Sequence, residues 1–186
     1  MCQEVLGDAR LFELLVQIDA DLAAEAKAQG CSCGGRLHRA RYRRKPRGAP
    51  PERDEGTVWR ESFCCAKEGC RKRKMPISVR FLGRRVYLGV VVVLASACEG
   101  GLTRRRVAML QERLGVSERT LRRWRAWWRG TFPRTGFWRS ARSGFVPPIE
   151  TEALPASLLE RFVGGEGIER VSRVLRFLAP LSASSF

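Results

Sequence analysis

Histidine is nearly missing from this chain: His38 is the only one in 186 residues. Acidic residues are scarce as well, 19 against 35 lysines and arginines. Enzymes that move protons or hold catalytic ions draw on histidine pairs, clustered carboxylates or a nucleophile beside a base. No such set is visible, so no enzyme activity is expected. Long apolar runs are lacking too. The most apolar stretch, residues 88–98, is about half the length that spans a bilayer, so no membrane partner is expected. The N-terminus has no basic start followed by an apolar stretch, and the compartment expected is the cytoplasm. No internal repeat is present.

What is abundant is positive charge. The net charge is +16, carried mostly by arginine, whose guanidinium forks onto phosphates and guanine edges. A field of that sign concentrates polyanions, so double-stranded DNA is the partner expected, with RNA as the alternative. A GC-rich genome also inflates arginine, yet the charge is sorted. Residues 1–30 are acidic, with Glu4, Asp8, Glu13, Asp19, Asp21 and Glu25 against Arg10 and Lys27. Hydrophobic residues make up 44%, enough to build cores.

Residues 4–29 read as one amphipathic helix, with Leu11, Leu14, Leu15, Ile18 and Leu22 at helical spacing and Gly30 as its stop. Beyond it the cysteines cluster. In a reducing compartment, two close cysteine groups separated by a loop indicate a structural zinc site. Cys31, Cys33, Cys65 and Cys70 are the expected ligands of a structural Zn2+ ion. Cys64 competes with Cys65, but neighbours on a strand face opposite ways, and Cys65 shares its face with Phe63. Gly34 and Gly69 suit the tight turns that such ligands need. Four thiolates leave no open position, so the ion would staple a small domain rather than catalyse. His38 reads as a surface or phosphate-contacting residue, and Cys98 as core.

Two basic runs flank the cysteines. Residues 36–47 hold Arg36, Arg39, Arg41, Arg43, Arg44, Lys45 and Arg47 with no acid, and Arg71, Lys72, Arg73 and Lys74 follow the last cysteine. Arg43, Arg44, Lys45, Arg71, Lys72 and Arg73 are expected phosphate contacts, joined into one patch by the metal. Residues 43–56 read as an exposed loop, 57–65 and 77–82 as strands.

Helical pattern returns over residues 88–98, 104–114 and 117–129. Gly115 breaks the second helix, Val116 is an apolar residue inside the turn, and Ser117 is a good N-cap for the third. Leu121, Trp124 and Trp128 share one face, while Arg119, Thr120, Arg122 and Arg123 lie on the other. This is the helix-turn-helix layout, with Arg104 and Arg105 opening the preceding helix beside the DNA backbone. From residue 101 to 143 there are 12 arginines against Glu112 and Glu118. Residues after 130 read as extended or loop-like, with 134–142 as a basic arm carrying Phe137, Trp138 and Arg139. Short helices near 155–163 and 168–178 and a frayed tail from Ser182 complete the pattern.

The phrase Leu114-Gly115-Val116-Ser117-Glu118-Arg119-Thr120-Leu121 is similar to the turn and recognition helix of many bacterial regulators and transposases. With the Cys31-x-Cys33-Gly34 and Cys65-x4-Cys70-Arg71 knuckles, residues 31–128 resemble the zinc-ribbon and helix-turn-helix front ends of bacterial transposases and mobile-element accessory proteins. Gln111 departs from that pattern, standing where a small residue is usual. The resemblance implies recognition of DNA ends or sites, as an accessory protein or a transcriptional regulator. It implies a homodimer or a transposase or recombinase as the protein partner. It does not imply the RNase-H-like catalytic domain, which this chain is too short to hold; a transposase remnant is the alternative. The fold class expected is α+β, mainly α: a small zinc ribbon with short antiparallel strands joined to a three-helix helix-turn-helix domain. The division expected is an amphipathic helix over 1–30, the ribbon over 31–85, the helix-turn-helix over 86–130, and an arm with short helices over 131–186.

Overall fold

The computed structural model describes residues 2–48, 55–83, 87–97, 103–164 and 167–183. It is α+β and mainly helical, with two small antiparallel sheets. The N-terminal segment forms two helices, α1 (Cys2–Gly7) and α2 (Ala9–Ala28), rather than one. Asp8 divides them because its carboxylate accepts the Arg10 backbone N–H at 3.0 Å, capping α2 from an extended backbone. The inner face of α2 serves two cores. Leu11, Phe12, Leu15 and Ile18 enter the main apolar cluster, while Ala23 and Ala26 pack on Leu37, Phe63 and Cys65 of the ribbon.

The ribbon contains β1 (Leu37–Arg39), β2 (Tyr42–Arg43), β3 (Trp59–Arg60), β4 (Phe63–Cys65) and β5 (Arg73–Lys74). One sheet has the order β1-β4-β5 and the other pairs β2 with β3, all antiparallel. The strand expected at 57–65 is shorter and broken, since residues 55–58 form a 3-10 turn.

Residues 77–82 do not form the expected strand; they follow an irregular path held from the side. Asp19, 3% exposed, and Arg80, 4% exposed, form an ion pair at 2.8 Å in the interior. The Asp19 carboxylate also accepts from Ser78 Oγ at 2.6 Å and from the Val79 N–H at 2.7 Å. The Arg80 guanidinium donates to the carbonyls of Gly56, Thr57 and Trp59 at 2.9, 3.0 and 2.8 Å. A buried charge is tolerated only when paired and hydrogen-bonded like this. The pair joins α2 to residues 78–80 and, through the guanidinium, to residues 56–59.

Three helices follow: α3 (Gly89–Ser96), α4 (Arg104–Leu114) and α5 (Glu118–Ala126). α3 is buried on every side, as an all-apolar helix must be. α5 stops short of residue 129 because the chain widens into a π turn at Trp127–Thr131.

The segment after 130 is not an arm. It coils through α6 (Gly136–Ala141), which Thr135 caps, and Phe132 and Trp138 are buried. Trp128, Phe132, Trp138, Phe145 and Phe177 pack in an aromatic chain with centroid spacings between 4.8 and 6.1 Å. Large rings gain more from burial than the intervening Arg, Gly and Ser lose by ordering. Trp127 is half-buried at the rim, edge-on to Trp128 at 4.8 Å. α7 (Ala156–Arg161) and α8 (Ile168–Leu178) close the main core with Leu158, Val174, Leu175 and Leu178. The tail is not frayed at its start: Ser182 is buried and its hydroxyl accepts from the Ser78 N–H at 2.7 Å. Residues 184–186, Cys98 and the Gly100-Gly101 break lie outside the described residues. No helix among the described residues is long and apolar enough to cross a membrane.

Candidate functional site

Two turns bring the cysteines together. Residues 31–35 close on themselves, the Gly34 N–H donating to the Cys31 carbonyl at 2.8 Å and the Cys31 N–H to the Gly35 carbonyl at 3.2 Å. Residues 67–71 close similarly, with the Cys70 N–H on the Lys67 carbonyl at 3.1 Å. Gly34 and Gly69 take φ of +76° and +80°, which side chains with a Cβ resist. Arg71 takes φ +44°, the left-handed region without glycine's freedom. The strand pairing of Leu37 with Cys65 sets the second knuckle beside the first.

The sulfurs of Cys31, Cys33, Cys65 and Cys70 all lie within 4.8 Å of one another. Cys31 and Cys70 are 3.8 Å apart, Cys33 and Cys65 3.5 Å. Four thiolates placed tetrahedrally about 2.3 Å from one ion sit about 3.8 Å apart, so this set can hold a metal ion. The surroundings fit the same reading. A Cβ on Gly35 would stand 2.5 Å from Cys65 Sγ and 3.3 Å from Cys33 Sγ, so only glycine leaves room there. Each sulfur also accepts a backbone N–H from two residues on: Cys33, Gly35, Lys67 and Lys72 donate to Cys31, Cys33, Cys65 and Cys70. Donors aimed at sulfur favour the thiolate. The Gly35 amide, with Cys70 and Cys65 adding to it, brings the Cys33 thiol down to about 6. At Cys65 the Lys67 amide pulls down, but burial and the neighbouring sulfurs outweigh it and push the thiol up to about 12. Crowded thiolates repel one another, and a bound cation relieves that repulsion. Cys64 stays out of the cluster, on the opposite strand face beside the Arg71 carbonyl at 3.6 Å.

The second group of expected residues lies on the helices. Thr103 caps α4 through the Arg106 N–H, and Ser117 caps α5 through the Thr120 N–H. Gly115 ends α4 at φ +62° and Val116 drops into the core, fully buried. Leu121 and Trp124 face inward, so Arg119, Arg122 and Arg123 face solvent and Thr120 is half-buried at the first turn. Arg122 is held along the helix by Glu118 at 2.6 Å. Arg104 and Arg105 are exposed at the start of α4. Among the described residues, no carboxylate lies within ion-pair distance of Arg104, Arg105, Arg119 or Arg123. Gln111, the departure from the usual pattern, is exposed.

In the ribbon, Arg43, Lys45, Arg71, Lys72 and Arg73 are exposed. Arg44 is a correction: it turns inward, its guanidinium 4.8 Å from the Phe81 ring centre and donating to the Gly83 carbonyl at 3.3 Å. Pro46 and Tyr42 face the same way, which makes Arg44 an inner-face residue of an extended segment rather than part of a loop.

Sequence reasoning missed two residues, Gly35, whose missing Cβ leaves room for two sulfurs, and Tyr87. Tyr87 was not singled out, yet its hydroxyl donates to the Gly115 carbonyl in the turn between α4 and α5 at 2.8 Å, and its ring meets Trp124 edge-on at 4.9 Å. In the ribbon, Arg41 stacks on the Trp59 ring at 4.4 Å. No family model, curated protein or solved structure matches this chain.

Proposed function

We propose that the chain is a sequence-preferring binder of double-stranded DNA, not an enzyme, whose ribbon is stapled by Zn2+. The observation that carries this reading is the α4–α5 unit. A left-handed glycine, a buried Val116 and a serine cap set the two helices at a fixed turn, with arginines on the outer face of the second. Such a helix fits the major groove, and arginine forks read guanine there. Arg119, Thr120 and Arg123 are the base-reading set, Arg122 joining once Glu118 releases it. Arg104 and Arg105 hold the backbone beside it. Zinc suits four thiolates because it takes a tetrahedral sulfur shell and undergoes no redox chemistry. The ribbon then acts as a platform for phosphate contacts by Arg71, Lys72 and Arg73. Resemblance to transposase front ends supports a role as a mobile-element accessory or regulator.

Selection from a random duplex library, followed by gel shift on the enriched site, tests the reading. Changing Arg119, Arg122 and Arg123 together to alanine is expected to erase the preference while metal content and thermal unfolding stay as in the wild type. Each lost base contact costs about 1–3 kcal/mol of discrimination. Failure of selection to enrich any site, or a preference that survives the triple change, would refute it.

A further inference from the structure

The basic run after the first knuckle is ordered in a way that composition hides. From Arg41 to Arg47 exposure alternates: Arg41, Arg43, Lys45 and Arg47 face solvent, whereas Tyr42 and Arg44 are half-buried and Pro46 is buried. The segment is extended, β2 pairing with β3 and the Arg44 N–H donating to the Val58 carbonyl at 2.7 Å. Alternate residues of an extended chain point the same way, so the four cationic residues share the outer face, with the Arg41 guanidinium over Trp59 at 4.4 Å and that of Arg47 over Tyr87 at 5.9 Å. No carboxylate interrupts the sequence from 36 to 47. A one-sided cationic row along one segment of chain suits a linear polyanion better than the irregular surface of an acidic protein. Trp59, cross-strand from Arg43, lies on that outer face with Arg41 stacked on it.

The far end of the row is fixed to the helix-turn-helix. Arg47 bridges to Tyr87 as in a parallel ladder, and its carbonyl accepts the Leu88 N–H at 3.1 Å. Gly48 lies flat on α3: a Cβ there would come within 2.6 Å of Val91 Cγ2. Tyr87 then reaches Gly115, one residue before the turn's buried valine, and packs on Trp124 of α5. One tyrosine therefore links the row to the turn that sets α5. When a recognition helix enters a groove by its N-terminal end, the helix before it crosses the backbone, so a segment tied to the turn between them is brought toward that backbone.

We propose that Arg41, Arg43, Lys45 and Arg47 form a second duplex-DNA contact, gripping phosphates that flank the groove entered by α5, with Tyr87 keeping the two in register. The inference rests on the DNA-binding reading of α5 and adds to it a strand-borne grip that carries affinity without sequence information. The test compares the wild type with the R41A/R43A/K45A/R47A variant on the selected duplex, measuring binding against salt together with hydroxyl-radical footprints. Each phosphate contact contributes roughly 0.9 to the slope of log affinity against log salt, so the slope should become shallower by about 3 to 4. Protection should shrink on one flank while the base preference is kept. A charge-preserving R41K/R43K/R47K variant should restore the slope, which a purely structural role would not predict. An unchanged slope and footprint, or a loss that the lysine variant fails to restore, would overturn the proposal. If the α5 reading alone fails, the wild type binds duplexes without preference yet still shows the row's share of the slope. If the row alone fails, preference is present and that share is missing.

Discussion

The Asp19–Arg80 pair gives the sharpest test of how the two cores are joined. Changing Asp19 to alanine would leave a buried guanidinium without its counter-charge and strip the Val79 N–H and Ser78 hydroxyl of their acceptor. Changing Arg80 to methionine would keep most of the volume but leave a buried carboxylate and three orphaned carbonyls, those of Gly56, Thr57 and Trp59. Breaking a buried pair by removing one partner costs about 3–5 kcal/mol. That is a fifth or more of the whole stability of an ordinary domain, about 5–15 kcal/mol. Asp19→Asn should cost less than Asp19→Ala, because an amide oxygen still accepts a hydrogen bond. The double change should fall short of the sum of the singles by about 2–3 kcal/mol, since the second removal relieves the charge that the first exposed. It should not return to wild-type stability, because the carbonyls and the Val79 N–H stay unpaired. Urea unfolding followed by tryptophan fluorescence supplies the four free energies of the cycle. Single changes costing under about 1 kcal/mol, or additivity within about 0.5 kcal/mol, would show that the pair does not hold this junction.

Metal analysis should find one equivalent of a divalent ion per chain, lost in Cys33→Ser and Cys65→Ser and kept in Cys64→Ser; equal loss in all three would contradict the assignment of ligands. Gly115→Ala should cost about 1 kcal/mol from its left-handed backbone alone, as nothing stands within 4 Å of the added methyl. Gly48→Ala should cost clearly more in thermal unfolding, because the same backbone penalty adds to a clash with Val91. Tyr87→Phe should lose about 0.5–1.5 kcal/mol with the hydrogen bond to Gly115, and a wild-type melting curve would count against that bond. The Arg39 guanidinium, donating at 2.8 Å, holds Glu61 below the ordinary carboxylate range against opposing burial. A depressed carboxyl adds stability above its unfolded pKa and loses it as pH falls through the folded value. The wild type should therefore exceed Glu61→Gln in stability near neutrality, with the gap closing in acid.

The cysteine turns and the helix-turn-helix were legible because their signals are local. A four-residue gap, a glycine and a cap are written within a dozen residues, and the helical bounds at 104–114 coincide with the pattern of Val107, Leu110 and Leu114. The Asp19–Arg80 pair joins residues 61 positions apart and left only a faint mark: Asp19 stands on the apolar stripe of α2, four residues after Leu15. Counting it among the acids of an acidic segment concealed that it faces inward. Around residues 131–143 arginine, glycine and serine suggested an open arm, but Phe132 and Trp138 are few and heavy, and their burial set the conformation. The row at 41–47 was masked by Pro46 and by the density of charge, which read as loop although the period of two was present.

α2 has a consequence for anyone dividing this protein. Its first three turns belong to one core and its last to the other, so no cut near residue 30 yields two intact halves. A fragment starting at the first knuckle would expose Leu37 and Phe63 where Ala23 and Ala26 now cover them. The ribbon is in this way built into the larger body and cannot be transplanted as a free-standing cassette.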